Sequence, residues 1–165
     1  METCKKLPMV VLAAVPYLYL AGVAAVGLNG TAFSVWLVIF LLLEVPNVVY
    51  AFLWPRWGGT VEGLLFWNMV IKLCHIPFFL LLAAAVVVLN VYLLPLVPFL
   101  FVLAYTLVLS SSAYGFSALR LAVRQGRLDS LQAAGHIFWQ CMFCGDVVDA
   151  VCCWRRLGRI AKEQP

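Results

Sequence analysis

The chain has 165 residues, of which 65% are hydrophobic and 11% are charged. Soluble domains usually contain about 25% charged residues, so this composition excludes an ordinary water-soluble fold. The net charge of +4 comes from Lys and Arg residues at the ends of apolar runs, a pattern that argues against a nucleic-acid partner. We therefore predict one all-α membrane domain over residues 1–165, a polytopic transmembrane helix bundle whose main partner is the lipid bilayer.

The first two apolar runs predict a helical hairpin. The run 7–28 is longer than the roughly 7 to 15 residues of a signal-peptide core, so we predict a retained first span. The second predicted helix, 32–54, is long enough for a bilayer crossing, which takes about 20 apolar residues. It ends in a Trp-Pro-Arg-Trp segment, residues 54–57, that is typical of the membrane interface.

The third and fourth apolar runs predict two more spans. The predicted helix 64–92 is too long for one perpendicular crossing, so we expect it to tilt, to kink near Pro77, or to begin on the membrane surface. The predicted helix 97–122 leads into a basic segment, residues 120–127, which contains three arginines. Because cations mark the cytoplasmic side, this segment and the N-terminus are predicted to lie inside.

The fifth predicted helix, 130–154, is amphipathic, and its orientation conflicts with the charges that follow it. If all five helices span, the tail with Arg155, Arg156, Arg159 and Lys162 lies outside, against the positive-inside rule. If the helix instead lies flat at the interface, the tail stays inside, but an acidic polar face does not suit an anionic leaflet. We favour four spanning helices plus this fifth one, with its acids directed into the bundle.

Polar residues within these apolar segments are the strongest functional signal, because a charge at the bilayer centre costs at least about 2.5 to 3.5 kcal/mol. Either they form a path or pocket in which Lys72 pairs with a carboxylate, or they hold helices together. In a further alternative, Lys72 reaches the cytoplasmic surface through its long stem. The predicted polar interior comprises Glu44, Asn47, Asn68, Lys72, His75, His136, Gln140, Asp146 and Asp149.

Cys141 and Cys144 have the CxxC spacing of a thiol redox pair, as in four-helix enzymes that resemble the vitamin K epoxide reductase family. That chemistry needs a thiolate of lowered pKa and usually a second cysteine pair in an exposed loop, which this chain does not offer. Core packing explains both thiols better. A metal site from these cysteines, His136 and an aspartate fails on a single helix, because His136 points away from Cys144. We predict no metal, no cofactor and no catalytic residue.

Three stretches resemble a known protein family. They are residues 68–79 (NMVIKLCHIPFF), 111–115 (SSAYG) and 143–148 (FCGDVV). The family consists of small bacterial multi-pass membrane proteins of unknown function, found mainly in Gram-positive gut anaerobes. The resemblance covers about residues 60–154 and leaves out the first helical hairpin. It implies a bacterial plasma-membrane location and no established activity.

The leading functional hypothesis is a non-enzymatic multi-pass protein of the plasma membrane. It is either a small transport or permeation unit or an accessory subunit of a membrane complex. Five helices do not divide into inverted repeats, so a homo-oligomer or a partner membrane subunit would complete a carrier. An intramembrane thiol-dependent oxidoreductase is the alternative among enzymes, and a structural or immunity-type membrane protein is the third hypothesis.

Overall fold

The computed structural model describes residues 2–26, 30–89, 97–142 and 145–163. These residues form six α-helices and one short 3₁₀ helix, so the prediction of an all-α fold is confirmed. The elements are α1 (Glu2–Val26), α2 (Gly30–Leu53), the 3₁₀ helix (Trp54–Trp57), α3 (Val61–Leu89), α4 (Val97–Arg124), α5 (Ser130–Gln140) and α6 (Gly145–Glu163).

Among the described residues, three helical segments are long and apolar enough to cross a membrane. They are Val38–Trp57, Val61–Ala84 and Leu100–Arg124. The apolar part of α1, Lys6–Gly22, is shorter. Length and composition therefore indicate a membrane protein, since a helix must bury about 20 apolar residues to cross the hydrocarbon core.

Helices α1 to α4 run alternately up and down beside one another, as two clusters of buried side chains show. One cluster lies near the 3₁₀ helix and includes Met9, Ala51, Leu64 and Leu119. The other lies toward the opposite end and includes Tyr19, Phe40, Phe78 and Leu107. Each of the four helices contributes an early residue to one cluster and a late residue to the other. Consecutive helices are therefore antiparallel.

The start of α1, the 3₁₀ helix, the start of α3 and the end of α4 meet at one end of the bundle. We call this the basic end, because its cations include Lys6, Arg56, Arg120, Arg124 and Arg127. Two glycines with positive φ, Gly58 at 86° and Gly126 at 69°, form the turns there. Such backbone angles are unfavourable for residues with a side chain, so glycine permits both tight turns.

The prediction of one helix over 130–154 is wrong, because the chain folds back on itself and forms the hairpin α5–α6. Asp129 caps the start of α5 by accepting a hydrogen bond from the backbone N–H of Leu131 at 3.1 Å. Near the bend, Gln140 Nε2 lies 3.0 Å from Asp149 Oδ2. One turn farther from the bend, His136 Nδ1 lies 3.2 Å from Cys153 Sγ. The contacting residues are 140 with 149 near the bend and 136 with 153 farther from it. Because one number falls while the other rises, the two helices are antiparallel.

The hairpin enters and leaves the bundle at the basic end. Leu128, just before α5, and Leu157, in the second half of α6, belong to the same buried cluster as Ala122 near the end of α4. With 11 residues, α5 is about 16 Å long, roughly half the thickness of a hydrocarbon core. The bend is tight, since a Cβ on Gly145 would stand 2.6 Å from the Trp139 ring.

This hairpin removes the conflict between the fifth predicted span and the basic tail. Arg155 and Arg156 lie in α6 beyond Cys153, and both are exposed. Because α6 returns toward the basic end, these cations join those of the other helices. If the bundle spans a membrane, this placement of Arg155 and Arg156 is the one that the positive-inside rule favours.

We expect a protease to reach epitope tags inserted at Gly126 and appended after Pro165 from the same side of the membrane, because α5–α6 enters and leaves at the basic end. A tag inserted at Asn29, between α1 and α2, is the control for the opposite side. Protease protection in sealed vesicles of one orientation measures all three. Protection of the C-terminal tag while the Gly126 tag is digested would show that the last segment crosses the membrane.

Candidate functional site

Lys72 of α3 and Asp146 of α6 form an ion pair inside the bundle. Only 1% of the Lys72 side chain and 4% of the Asp146 side chain are exposed. The Ser112 hydroxyl of α4 lies 3.1 Å from Asp146 Oδ1 and 3.0 Å from the backbone carbonyl oxygen of Gln140. The Lys72 ammonium group is therefore enclosed by the protein, and its charge is compensated where the hairpin bends.

A second polar cluster lies between α5 and α6, next to this ion pair. His136 Nδ1 is 2.6 Å from Asp149 Oδ1, and Gln140 Nε2 donates to Asp149 Oδ2 at 3.0 Å. Cys153 Sγ lies 3.6 Å from the same carboxylate. His136 and Gln140 are one turn apart on α5, and Asp149 and Cys153 are one turn apart on α6. The bend therefore makes two short polar stripes face each other.

The thiol of this cluster is poorly suited to act as a nucleophile. Burial raises the pKa of Cys153 because a thiolate would lose its hydration, and the neighbouring Asp149 carboxylate raises it further. Reactive cysteines instead have a lowered pKa in an electropositive setting. Cys153 is thus a buried thiol in contact with an imidazole and a carboxylate.

Gly115 of α4 allows the amides of two other helices to approach. A Cβ at this position would stand 2.0 Å from Gln140 Oε1 and 2.9 Å from Asn68 Nδ2. Asn68 and Gln140 are both fully buried. The polar interior consequently extends from the α5–α6 hairpin to α3 across a position that has no side chain.

The remaining predicted polar residues are buried but lie elsewhere in the bundle. His75 Nε2 donates to a backbone carbonyl of α1 at 3.1 Å. Asn47 Oδ1 accepts a hydrogen bond from the Tyr114 hydroxyl at 3.2 Å. Glu44 lies beside Ser110 of α4. The carboxylate that pairs with Lys72 therefore comes from α6 and not from α2.

The predicted CxxC pair contributes little to this site. Cys141 ends α5, and its backbone carbonyl accepts a hydrogen bond from the Tyr105 hydroxyl at 3.3 Å. Cys144 lies outside the described residues. Sequence reasoning missed Cys153, which contacts His136. The one-turn spacing of Asp149 and Cys153 places both on one face of a helix. It indicates a site only once a second helix is known to face them.

Comparison with known families covers nearly the whole chain. Residues 5–159 match a family of unknown function, DUF6652. The chain belongs to this family. The match includes α1 and α2, which the resemblance drawn over residues 60–154 leaves out. No curated protein and no solved structure matches the chain. Membership in DUF6652 assigns no activity.

We expect the Lys72→Met substitution to lower the free energy of unfolding by about 3 to 5 kcal/mol, because it leaves the buried Asp146 carboxylate without its partner. Replacing both partners, as in Lys72→Met/Asp146→Leu, should restore most of that loss, since no unpaired charge then stays buried. Unfolding in detergent, followed by circular dichroism, measures both.

The matched control for these variants is the partly exposed ion pair between Arg127 and Glu62, whose side chains are 27% and 33% exposed. Breaking it with Glu62→Gln should cost only about 0 to 1 kcal/mol. A single Lys72 variant as stable as this control would contradict a compensated charge in the bundle interior.

We expect Gly115→Ala to destabilise the protein by about 1 to 3 kcal/mol, because the added methyl group would displace the Gln140 side chain. Gly135→Ala on α5 is the control, since a Cβ there meets nothing within 4 Å. That substitution should stabilise the protein by up to about 1 kcal/mol through helix propensity. Thermal unfolding of both variants in detergent tests the contrast, and equal effects would argue against close packing at Gly115.

Proposed function

We propose that this protein is a small transport or permeation unit of the plasma membrane. In this proposal α1 to α4 cross the bilayer, and α5–α6 is a re-entrant hairpin that enters from the cytoplasmic side. With 25 residues, α1 is about 38 Å long, which supports a fourth crossing beside the three apolar segments. The observation that carries the proposal is the buried Lys72–Asp146 pair at the tip of this hairpin.

In this proposal the hairpin bends inside the bilayer, and such a bend is an argument for a functional site. Irregular backbone is tolerated there only where protein buries it or where it lines a water-filled cavity. Transporters commonly place substrate and ion sites near the bilayer midplane, beside interrupted helices. The bend between Gln140 and Gly145 lies next to Lys72 and Asp146, so this chain combines an interrupted helix with ionisable side chains.

Stability alone is a weak reason to retain the ion pair. Apolar side chains of similar size often stabilise a protein as well as a buried pair does, because burying two charges costs hydration energy. Ionisable residues inside membrane segments therefore point first to ion or proton pathways. Asp146 pairs with the Lys72 ammonium group, and the Asp149 carboxylate is near enough to act on it electrostatically. Two carboxylates near one ammonium group favour a cation as the species that passes.

The thiol-dependent oxidoreductase is less well supported. Within the described part of the chain, Cys74, Cys141, Cys152 and Cys153 are free thiols. Cys153 is buried beside the Asp149 carboxylate, which does not favour a reactive thiolate, and Cys141 ends a helix. The fold is equally compatible with an accessory subunit of a membrane complex. That alternative predicts that the isolated protein gives no flux and that a membrane protein copurifies with it.

Cation flux through purified protein in sealed vesicles tests the proposal. We expect a potential-driven flux of protons, sodium or potassium, detected by ion-sensitive dyes inside the vesicles. Lys72→Met/Asp146→Leu should reduce this flux at least about tenfold while the protein stays folded, because apolar side chains then replace the polar site.

Glu62→Gln is the control for the flux measurement, since it removes an ion pair at the basic end and leaves the bundle interior unchanged. The control should conduct like the unmodified protein. Full flux through the folded Lys72→Met/Asp146→Leu variant would show that the pair only docks the hairpin, and a lack of flux through the unmodified protein would overturn the transport proposal.

A further inference from the structure

Three potential metal ligands from two helices converge inside the α5–α6 hairpin. One ligand atom each from His136, Asp149 and Cys153 lies within 4.8 Å of the other two. Asp149 and Cys153 are buried, whereas 20% of the His136 side chain is exposed. The imidazole is therefore the accessible edge of an otherwise enclosed cluster.

Two of the three distances between these side chains are close to those of a tetrahedral zinc site. Zinc lies about 2.0 to 2.1 Å from nitrogen or oxygen ligands and about 2.3 Å from sulfur, so neighbouring ligand atoms stand about 3.3 to 3.6 Å apart. Cys153 Sγ is 3.2 Å from His136 Nδ1 and 3.6 Å from Asp149 Oδ2. The 2.6 Å contact of His136 Nδ1 is with the other carboxylate oxygen, Asp149 Oδ1, so an ion bound through Oδ1 requires this contact to open by about 0.7 Å.

We propose that His136, Asp149 and Cys153 form a binding site for a divalent transition metal, with zinc as the preferred ion. Sulfur and imidazole ligands favour zinc and similar ions, whereas magnesium and calcium prefer oxygen ligands. A divalent ion also balances the charges of one carboxylate and one thiolate, so the buried site becomes neutral. Binding replaces the Cys153 thiol proton with the metal, and the proton leaves to water.

Gln140 supports this assignment as a positioning residue. Its Nε2 donates to Asp149 Oδ2 at 3.0 Å, which holds the carboxylate toward the hairpin interior. Residues that orient a ligand in this way commonly account for 10- to 100-fold in metal affinity. Three protein ligands leave a fourth coordination position open for water or another small ligand. The site does not depend on ion conduction, because the hairpin alone supplies its ligands.

Metal binding is tested on purified protein from which the affinity tag has been removed. Titration with Co²⁺ should produce a thiolate-to-cobalt charge-transfer band, and Zn²⁺ should displace the cobalt and remove the band. Zn²⁺ should also raise the thermal unfolding temperature in detergent, whereas Mg²⁺ and Ca²⁺ should not. The unmodified protein should bind one metal ion per chain.

Substitution of the ligands connects this signal to the proposed site. Cys153→Ser should abolish the charge-transfer band, and His136→Gln should weaken metal binding by at least about 100-fold, which is the upper range for residues that merely orient a ligand. Cys152→Ser is the matched control, because Cys152 is the adjacent, exposed thiol outside the cluster. It should bind metal like the unmodified protein.

The proposal is overturned if Co²⁺ gives no charge-transfer band with the folded, unmodified protein. It is also overturned if the band survives in Cys153→Ser, since the metal would then bind another cysteine. A Cys153→Ser variant that unfolds at the same temperature as the metal-free unmodified protein shows that loss of the band does not result from misfolding.

Discussion

The burial of Lys72 within the helix bundle is the constraint on which the arrangement of the last third of the chain depends. An ammonium group inside an apolar bundle must meet a compensating charge at the same depth. The acid on α2, Glu44, lies beside Ser110 instead. Asp146 supplies the charge because the chain turns back after α5 and begins α6 next to α3. The bend therefore brings Asp146 to Lys72, and the resulting ion pair compensates the buried charge.

The small side chains of α4 make room for the α5–α6 hairpin. Ser111, Ser112, Ala113 and Gly115 are all buried, and a larger residue at Gly115 would collide with the Gln140 side chain. Small and hydroxylated residues at membrane helix contacts allow backbones to approach and offer short hydrogen bonds. The Ser112 hydroxyl contacts both the carbonyl at the end of α5 and the carboxylate at the start of α6.

The hairpin also brings the ionisable groups of both candidate sites together. The same reversal that brings Asp146 to Lys72 places His136 opposite Asp149 and Cys153, so a cation path and a metal site would share one element. It returns the basic tail to the end of the bundle that carries the other arginines, which agrees with the positive-inside rule. One bend thus links the charge compensation, the candidate sites and the orientation that we propose in the membrane.

Composition and the lengths of the apolar runs were sufficient to predict an all-α membrane protein, because only helices of about 20 apolar residues satisfy their backbone while crossing lipid. The cost of burying charge likewise made Lys72 and Asp146 stand out in the sequence. The bend between Gln140 and Gly145 did not, since no proline interrupts residues 130–154 and helical spacing continues through them. Packing of Trp139 on Gly145 and the contacts of Ser112 with both sides of the bend depend on other elements. Tertiary structure therefore decided which acid meets Lys72, and that Cys153, and not Cys141, lies beside His136.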